Sequence, residues 1–512
     1  MVSSPQQPLK SSLYLIGIGG TGAKCLEAIV HLAATGLFPL GKMKLLFVDA
    51  DESNGNLERS RLILSNYKAC YDSLQSTPQG SSWLKTEVGS YGLWSPFGTT
   101  RNDKRLNSFF GYTSMRQNHP SLAHLFDVLY SVDEQKADLD VGFRGRPAIG
   151  AAVMSQINLD NLNEAPWSLL MNDIRQDLSA GRDVRIFLCG SIFGGTGASG
   201  LPTIGKLISG KLKEERVNEK VKIGGLFMLP YFQFSPVGAD VQPNEVYARS
   251  ENFLINTEAA LRYYSTQAEG SFDKVYLLGN ENRSSFSFST GKSTQKNAPH
   301  FLELYAALAV HHFLTLDSTE TVALISRRTV GSMEWTDLPS IGEVQPKLVQ
   351  AVRFAYLWLD NIIPEFNLAR SVGVNQYSKI AWFPEFYRIP KGVFNFRQRS
   401  ENLPDFSSGE EQQSIKTIET WCKDFLQWIY ELHNCEGENV QFFLKGALKS
   451  PGGAKGEFLN RLVDGDPRDA VAINNDSVQN ILSQLEDRAK PLSDNQKGTI
   501  GLAKILYNLC KL

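Results

Sequence analysis

Two glycine-rich loops constrain this 512-residue chain more than any other feature, because each follows a short apolar run and precedes a helical pattern. Residues 17–24 read G-I-G-G-T-G-A-K, after the apolar run 13–16 and ahead of a helix expected from Cys25 to about Thr35. Residues 190–200 read G-S-I-F-G-G-T-G-A-S-G, after the buried-strand pattern 185–188 and ahead of the apolar period 201–212. Strand, glycine loop and helix together suit a phosphate. Glycine lets backbone N–H groups approach oxyanions, and the helix start offers unpaired donors and a partial positive charge. One such loop reads equally as a tight turn or as the G-x-G-x-x-G of dinucleotide folds. Two of them, both leaving strands and entering helices, suggest one polyphosphate held from two sides.

Composition sets the class around those loops. Apolar residues at 42% and charged residues at 21% are ordinary globular values, with material for two or three domains. A balance of 52 Lys and Arg against 54 Asp and Glu gives a net charge of -2, which leaves no footprint for nucleic acid. The six cysteines (25, 70, 189, 422, 435 and 510) are scattered without a C-x-x-C, so neither zinc nor a disulfide framework is expected. Three of them fall in apolar helix or strand patterns and read as core. No apolar run reaches the ~18 residues of a membrane span. The N-terminus lacks the apolar core of a signal peptide, so a cytoplasmic location is expected.

Taken in order, the motifs resemble the tubulin/FtsZ superfamily, in the form of a divergent bacterial tubulin-like protein. Residues 194–199 look like its signature loop G-G-G-T-G-[ST]-G, with Phe193 at the first glycine and Ser199 at the last. Residues 17–24 are similar to its first phosphate loop, with Lys24 where FtsZ-like members carry Asn. Residues 45–51 (L-L-F-V-D-A-D) resemble the second strand and its acidic loop. Residues 142–150 (G-F-R-G-R-P-A-I-G) resemble the segment that closes on the γ-phosphate, and 224–232 (G-G-L-F-M-L-P-Y-F) the strand ending in Pro-Phe. The resemblance covers roughly residues 12–340.

It implies an α/β fold: a parallel-sheet nucleotide-binding domain, a central helix and a modified α+β or helical C-terminal half. It implies GTP or GDP with Mg²⁺, held by Gly17, Gly19, Gly20, Thr21, Gly22 and Lys24 from one loop. Gly194, Gly195, Thr196, Gly197 and Ser199 would contribute from the other. Phe301 matches the aromatic that stacks on guanine, Glu303 falls near an acidic position, and Tyr305 stands where tubulin has a base-reading Asn. In S-M-E-W-T-D-L (332–338), Glu334 and Asp337 keep the acid-x-x-acid spacing of the catalytic loop N-x-D-x-x-D. Ser332 replaces its Asn, and Pro339 follows at once. The resemblance further implies GTP hydrolysis at the contact between subunits of a head-to-tail homopolymer.

Several of these residues also have plainer readings. Asp49 and Asp51 border phosphates and Mg²⁺ in the tubulin-like reading, an acid there holds a ribose hydroxyl in a dinucleotide fold, and Asp also favours strand ends. Arg144 and Arg146 precede the helix start at Pro147, where the dipole prefers acids. Either one of them, with Arg146 taken as the contact, meets a phosphate, or both face solvent. Phe301 suits a core, and Asp337 with Pro339 suits a helix N-cap. His300, His311 and His312 form no H-E-x-x-H, and no metal-ligand set is assigned.

The expected organisation is a flexible tail (1–11), a nucleotide domain (12–298), a central helix (299–315), a second domain (316–400) and a helical C-terminal region (401–512). Within the nucleotide domain, 55–140 reads as an insertion of loops and short helices. That segment and the C-terminal region are the candidate surfaces for another protein. Residues 244–267 read as a helix, 280–298 as a mobile exposed loop, 379–389 as a strand and 401–412 as a polar linker. Two alternatives stand beside a polymerising GTPase. One is a nucleotide-dependent scaffold without hydrolysis. The other is an NAD-binding Rossmann enzyme, which would not require the second glycine loop.

Overall fold

The run L-Y-L-I lies inside β1 (Leu9–Ile18), whose residues from Ser11 onward are all buried, as in a central parallel strand covered on both faces. The computed structural model describes residues 9–38, 40–75, 83–98, 103–235, 247–267, 270–289, 291–315, 332–377, 380–389, 402–443, 448 and 478–511. The chain divides into two units. Residues 1–29, 40–62 and 88–327 form the first, and 30–39, 63–87 and 328–512 the second.

β1 runs straight into α1 (Gly19–Ala34), and the chain returns through β2 (Leu40–Val48), α2 (Gly55–Gln75) and β3 (Glu87–Trp94), with the first unit holding α1 up to Ile29, α2 up to Leu62 and β3 from Val88. Short helices α3 (Leu106–Phe109), α4 (Tyr112–Asn118), α5 (Pro120–Leu129) and α6 (Val132–Lys136) lead to α7 (Pro147–Met154) and α8 (Trp167–Ser179). Then come β4 (Asp183–Ser191), α9 (Gly195–Glu214), β5 (Val221–Met228) and β6 (Phe232–Phe234). The unit ends with α10 (Phe253–Gln267), β7 (Lys274–Leu278), β8 (Ser284–Phe286) and α11 (Phe301–Thr315).

Six strands form one sheet in the order β3-β2-β1-β4-β5-β7, and β6 pairs β8 separately. The β2–β1, β1–β4, β4–β5 and β5–β7 ladders are parallel. The strand order reverses between β1 and β4, and in an open α/β sheet the crevice beyond such a reversal is where ligands bind. The core that fixes this point joins Ile16 and Ile18 of β1 and Leu188 of β4 to Leu201, Ile204, Ile208 and Leu212 of α9. The α9 residues recur at helical spacing, so one face of the helix covers the sheet.

The described part of the second unit is mostly helical. α12 (Ile341–Leu357) passes through a π turn into α13 (Ile363–Val372), followed by α14 (Val374–Tyr377) and α15 (Phe383–Phe386). α16 (Gly409–His433), α17 (Val478–Ala489) and α18 (Gly498–Leu509) complete it. Its core is aromatic: the Trp83 ring stands 4.7 Å from Phe354, 4.9 Å from Trp421 and 5.4 Å from Tyr507.

Several local expectations change. The stretch 55–140 holds the 21-residue α2 and the sheet strand β3 as well as short helices. β1 begins at Leu9, inside the expected tail. The helix expected over 244–267 begins at Phe253, after one 3-10 turn, and 244–246 lie outside the described residues. Of the strand expected over 379–389, residue 379 lies outside the described residues and 383–386 form the turn of helix α15 instead, because Pro384 suits a helix start and Phe383 and Phe386 bury their rings. Of the polar linker expected over 401–412, residue 401 lies outside the described residues, and the rest buries Leu403 and Phe406 and already contains the Ser408-capped start of α16. All six cysteines are buried, not three.

Candidate functional site

The carboxyl ends of β1 and β4 open onto a cleft of about 900 Å³, its open mouth included. The two glycine loops meet there. A Cβ on Gly19, whose φ of +73° favours glycine, would lie 3.4 Å from both the Gly197 nitrogen and the Thr196 Cβ. A Cβ on Gly195 would lie 2.7 Å from the Phe143 Cβ, and one on Gly197 would strike the Ser191 carbonyl. Gly194 precedes α9 with no side-chain cap, so the first-turn N–H groups have no side-chain acceptor at the N-cap. Gly19, Gly20, Thr21, Lys24 and residues 194–197 all line the cleft.

Asp49 and Asp51, just beyond β2, line it too and are buried. Asp49 Oδ1 accepts the Thr196 hydroxyl at 3.3 Å and the Asp51 N–H at 3.2 Å. Burial, and next the charge of Asp51, push the Asp49 carboxyl up to about 7. Asp51 is also raised by burial, although Lys292 N–H (2.6 Å) and Ser53 (3.2 Å) donate to it.

Lys24, on the first turns of α1, forms a buried ion pair with Glu303 of α11 at 2.6 Å. The Tyr231 hydroxyl (3.0 Å) and the His300 N–H (3.1 Å) also donate to Glu303. His300 Nδ1 accepts the Leu302 N–H at 3.1 Å. Burial and the Lys24 charge hold this imidazole well below its usual range, so it is neutral and its Nε2–H faces Ser284 Oγ at 3.1 Å.

A rim of amides completes the polar side. Asn54 Oδ1 caps α2 by accepting the Asn56 and Leu57 N–H groups at 3.0 and 3.4 Å. Its Nδ2 donates to Gln295 Oε1 at 3.0 Å, and Asn56 Oδ1 accepts the Asn297 N–H at 2.8 Å. Gln295 and Asn297 are therefore stitched to α2 and contribute to the cleft, within a stretch whose Lys292, Ser293, Thr294 and Lys296 are exposed as expected. The opposite wall is aromatic. The Phe193 ring lies 4.8 Å from Phe253 and 5.4 Å from Phe232.

Other residues singled out from the sequence sit elsewhere. Gly17 and Gly22 pack α1 onto the sheet, where added Cβ atoms would meet Leu26 Cδ1 at 2.7 Å and the Cys189 carbonyl at 2.5 Å. The Ser199 hydroxyl is turned back onto the Gly195 carbonyl at 2.9 Å. Arg144, not Arg146, lines the cleft, while Arg146 Nε lies 3.7 Å from Glu134. Phe301 is buried beside His300, with ring centres 4.6 Å apart, and neither it nor Tyr305 is among the lining residues.

Glu334 and Asp337, in the second unit, bracket the 3-10 turn Trp335–Asp337 as a capping box. Asp337 Oδ2 accepts the Glu334 N–H at 2.8 Å, and Glu334 Oε1 accepts the Ser332 hydroxyl at 3.1 Å. Among the described residues no three His, Cys, Asp or Glu side chains form a metal-binding group. No described helix is long and apolar enough to cross a membrane.

A family model described as "Tubulin like" matches residues 149–331. That stretch is tubulin-like. It contains the second glycine loop, β5 and α11, whereas the first loop and the two acids precede it. Among solved structures, CetZ from Methanosaeta thermophila strain DSM 6194 is similar at 13% identity and a TM-score of 0.26. The match covers 61% of this chain and 56% of that one, so it spans little more than half of CetZ. None of the curated proteins compared matches. The tubulin-like stretch also supplies Gln295 and Asn297, which no local sequence signal marks, although their partners Asn54 and Asn56 lie in N-G-N, a helix-start signal.

Proposed function

We propose that this protein binds GTP between its two glycine loops, assembles head to tail and hydrolyses GTP at the contact between subunits. The observation that carries the reading is the approach of Gly19 to Thr196 and Gly197 where the strand order reverses. Two helix starts, α1 and α9, converge there, and a polyphosphate can accept from the first-turn N–H groups of both. The Thr196 hydroxyl adds a donor, and Lys24 adds a cation at the wall.

The acids fit Mg²⁺, which takes one or two carboxylates beside phosphate oxygens. Asp49 and Asp51 would hold it, and a raised buried carboxyl such as Asp49 is relieved by a nearby cation. Bound there, the ion would offset phosphate charge. Glu334 and Asp337 would serve the neighbouring subunit's nucleotide, orienting the attacking water. Such a head-to-tail contact is non-closing and generates filaments. A cytoplasmic location belongs to the same reading.

A second reading, a scaffold that binds GTP without turning it over, is favoured by one observation. The carboxylates of Glu334 and Asp337 close a local capping box, and Ser332 stands where the catalytic loop has Asn. Turnover per molecule measured against protein concentration, with electron microscopy of the same samples, tests both readings. Turnover rising with concentration, alongside filaments, is the expected result. Glu334→Ala or Asp337→Ala should lower it by about 10²–10⁴-fold and leave binding intact. Flat turnover with both variants active contradicts the assignment. Filaments with intact GTP at every concentration favour the scaffold.

A further inference from the structure

Asn297 brings an unused amide to the cleft. It is 7% exposed and lines the cleft, and its side chain makes no hydrogen bond among the described residues. A buried amide without a partner is unfavourable, and a ligand that pairs with it relieves that cost. The residue is held by its backbone instead. Its N–H donates to Asn56 Oδ1 at 2.8 Å, and its carbonyl accepts from Arg59 Nη1 at 2.6 Å. Arg59 Nε in turn donates to both Glu27 oxygens, at 3.0 and 2.9 Å. The amide is therefore positioned by bonds that it does not itself make.

These bonds also fix where the amide stands relative to the phosphate loops. Asn56 Nδ2 lies beside the first loop, 3.4 Å from where a Cβ on Gly20 would be. Glu27 is seven residues further along α1, roughly 10 Å at 1.5 Å per residue. Asn297 is bonded to Asn56 on one side and, through Arg59, to Glu27 on the other, so it stands beyond the helix start that would take the phosphates. We infer that Asn297 reads the hydrogen-bonding edge of the purine base, with Asn56 and Arg59 as its positioning residues. This inference rests on the reading of the cleft as a nucleotide site.

The chemistry of the amide selects the base. A carboxamide presents an N–H donor and a C=O acceptor side by side in one plane, the complement of a flat edge with an adjacent acceptor and donor. Guanine offers O6 and N1–H, and adenine offers N1 and N6–H. An amide turned over about its last bond serves either. Phe301 and Tyr305, the α11 positions at which the resemblance would put the base, do not line the cleft. The two hydroxyls of a ribose offer no such flat edge.

Competition binding to the full chain tests this, using wild type, Asn297→Ala and the isosteric Asn297→Asp. The probes are GTP, ATP, purine riboside triphosphate (which has acceptors but no donor on that edge), 2′,3′-dideoxy-GTP and inorganic tripolyphosphate. Both variants should melt close to wild type, because the backbone bonds of residue 297 remain. Asn297→Ala should weaken GTP and ATP by roughly 10- to 100-fold, the size of a bidentate amide–base pair, and leave tripolyphosphate unchanged. It should also narrow the gap between GTP and purine riboside triphosphate. In Asn297→Asp a carboxylate only accepts, so it keeps N1–H and the amino group of guanine but opposes N1 of adenine. The ratio of GTP to ATP affinity should therefore rise by on the order of 10-fold, and repulsion of the phosphates cancels in that ratio. An unchanged ratio, or Asn297→Ala weakening tripolyphosphate as much as GTP, overturns this inference alone. A wild-type loss on removing the ribose hydroxyls that vanishes in Asn297→Ala assigns the amide to the sugar and overturns it too. A wild type that binds neither GTP nor tripolyphosphate overturns the reading of the cleft, and this inference with it.

Discussion

Lys24 Nζ lies 2.6 Å from Glu303 Oε1 with both side chains buried, so an ion pair inside the first unit ties the first glycine loop to α11. Removing one partner of a buried pair leaves an uncompensated charge and costs about 3–5 kcal/mol. Glu303→Leu should cost more than Lys24→Met, because it also strands the Tyr231 hydroxyl and the His300 N–H. Replacing the pair together, as Lys24→Met with Glu303→Leu, should recover most of the loss. Equilibrium urea unfolding of the four proteins measures this, and strictly additive losses would show that the pair is not coupled.

Asp49 sets a pH dependence with a definite sign. Its folded-state carboxyl is raised to about 7 from 3.8, so its contribution is complete below the unfolded value and is lost as pH rises through 7. The loss is on the order of 4 kcal/mol at 1.36 kcal/mol per pH unit. Thermal melts without ligand should show wild-type stability falling from pH 4 to pH 7 more steeply than that of Asp49→Asn. Mg²⁺ with GTP should flatten the wild-type slope. Parallel pH profiles for the two proteins would contradict this account.

Phe301 and Tyr305 divide stability from selectivity. Phe301 is 2% exposed and away from the cleft, so Phe301→Ala should destabilise by about 3–5 kcal/mol while leaving nucleotide affinity largely unchanged in the folded protein. Tyr305 offers no amide to the guanine edge. Preference for GTP over ATP should therefore fall short of the family margin by roughly 10-fold or more, one charge-free hydrogen-bond pair being lost with its geometry. Competition binding that shows strict guanine selectivity would mean another residue reads the base.

The two loops are legible in the sequence because the φ of +73° at Gly19 and the lack of room for a Cβ at Gly195 and Gly197 are demands written as glycine. α9 is legible through its apolar period. α2 is harder to read, because the polar Ser60 interrupts the buried set Leu57, Ile63, Leu64, Tyr67, Cys70 and Leu74, while the apolar Leu62 stands exposed beside it. The amide rim is hidden for another reason. Asn54 and Asn56 bond to Gln295 and Asn297 across 241 positions, so polar residues that look solvent-bound locally are satisfied by a distant segment. Arg146 looked apt at the start of α7, but the left-handed turn at Arg144 (φ +49°) brings that arginine to the cleft instead.

Isothermal titration calorimetry with GTP, GDP, ATP and NAD tests the central claim, that the paired glycine loops hold one guanine nucleotide. Wild type should bind GTP and GDP, and Thr196→Ala should lose roughly 1.5–3 kcal/mol, a hydrogen bond to a charged acceptor. Gly195→Val should lose binding, since its Cβ would press on Phe143 at 2.7 Å. Tight binding of NAD with none of GTP would contradict the account.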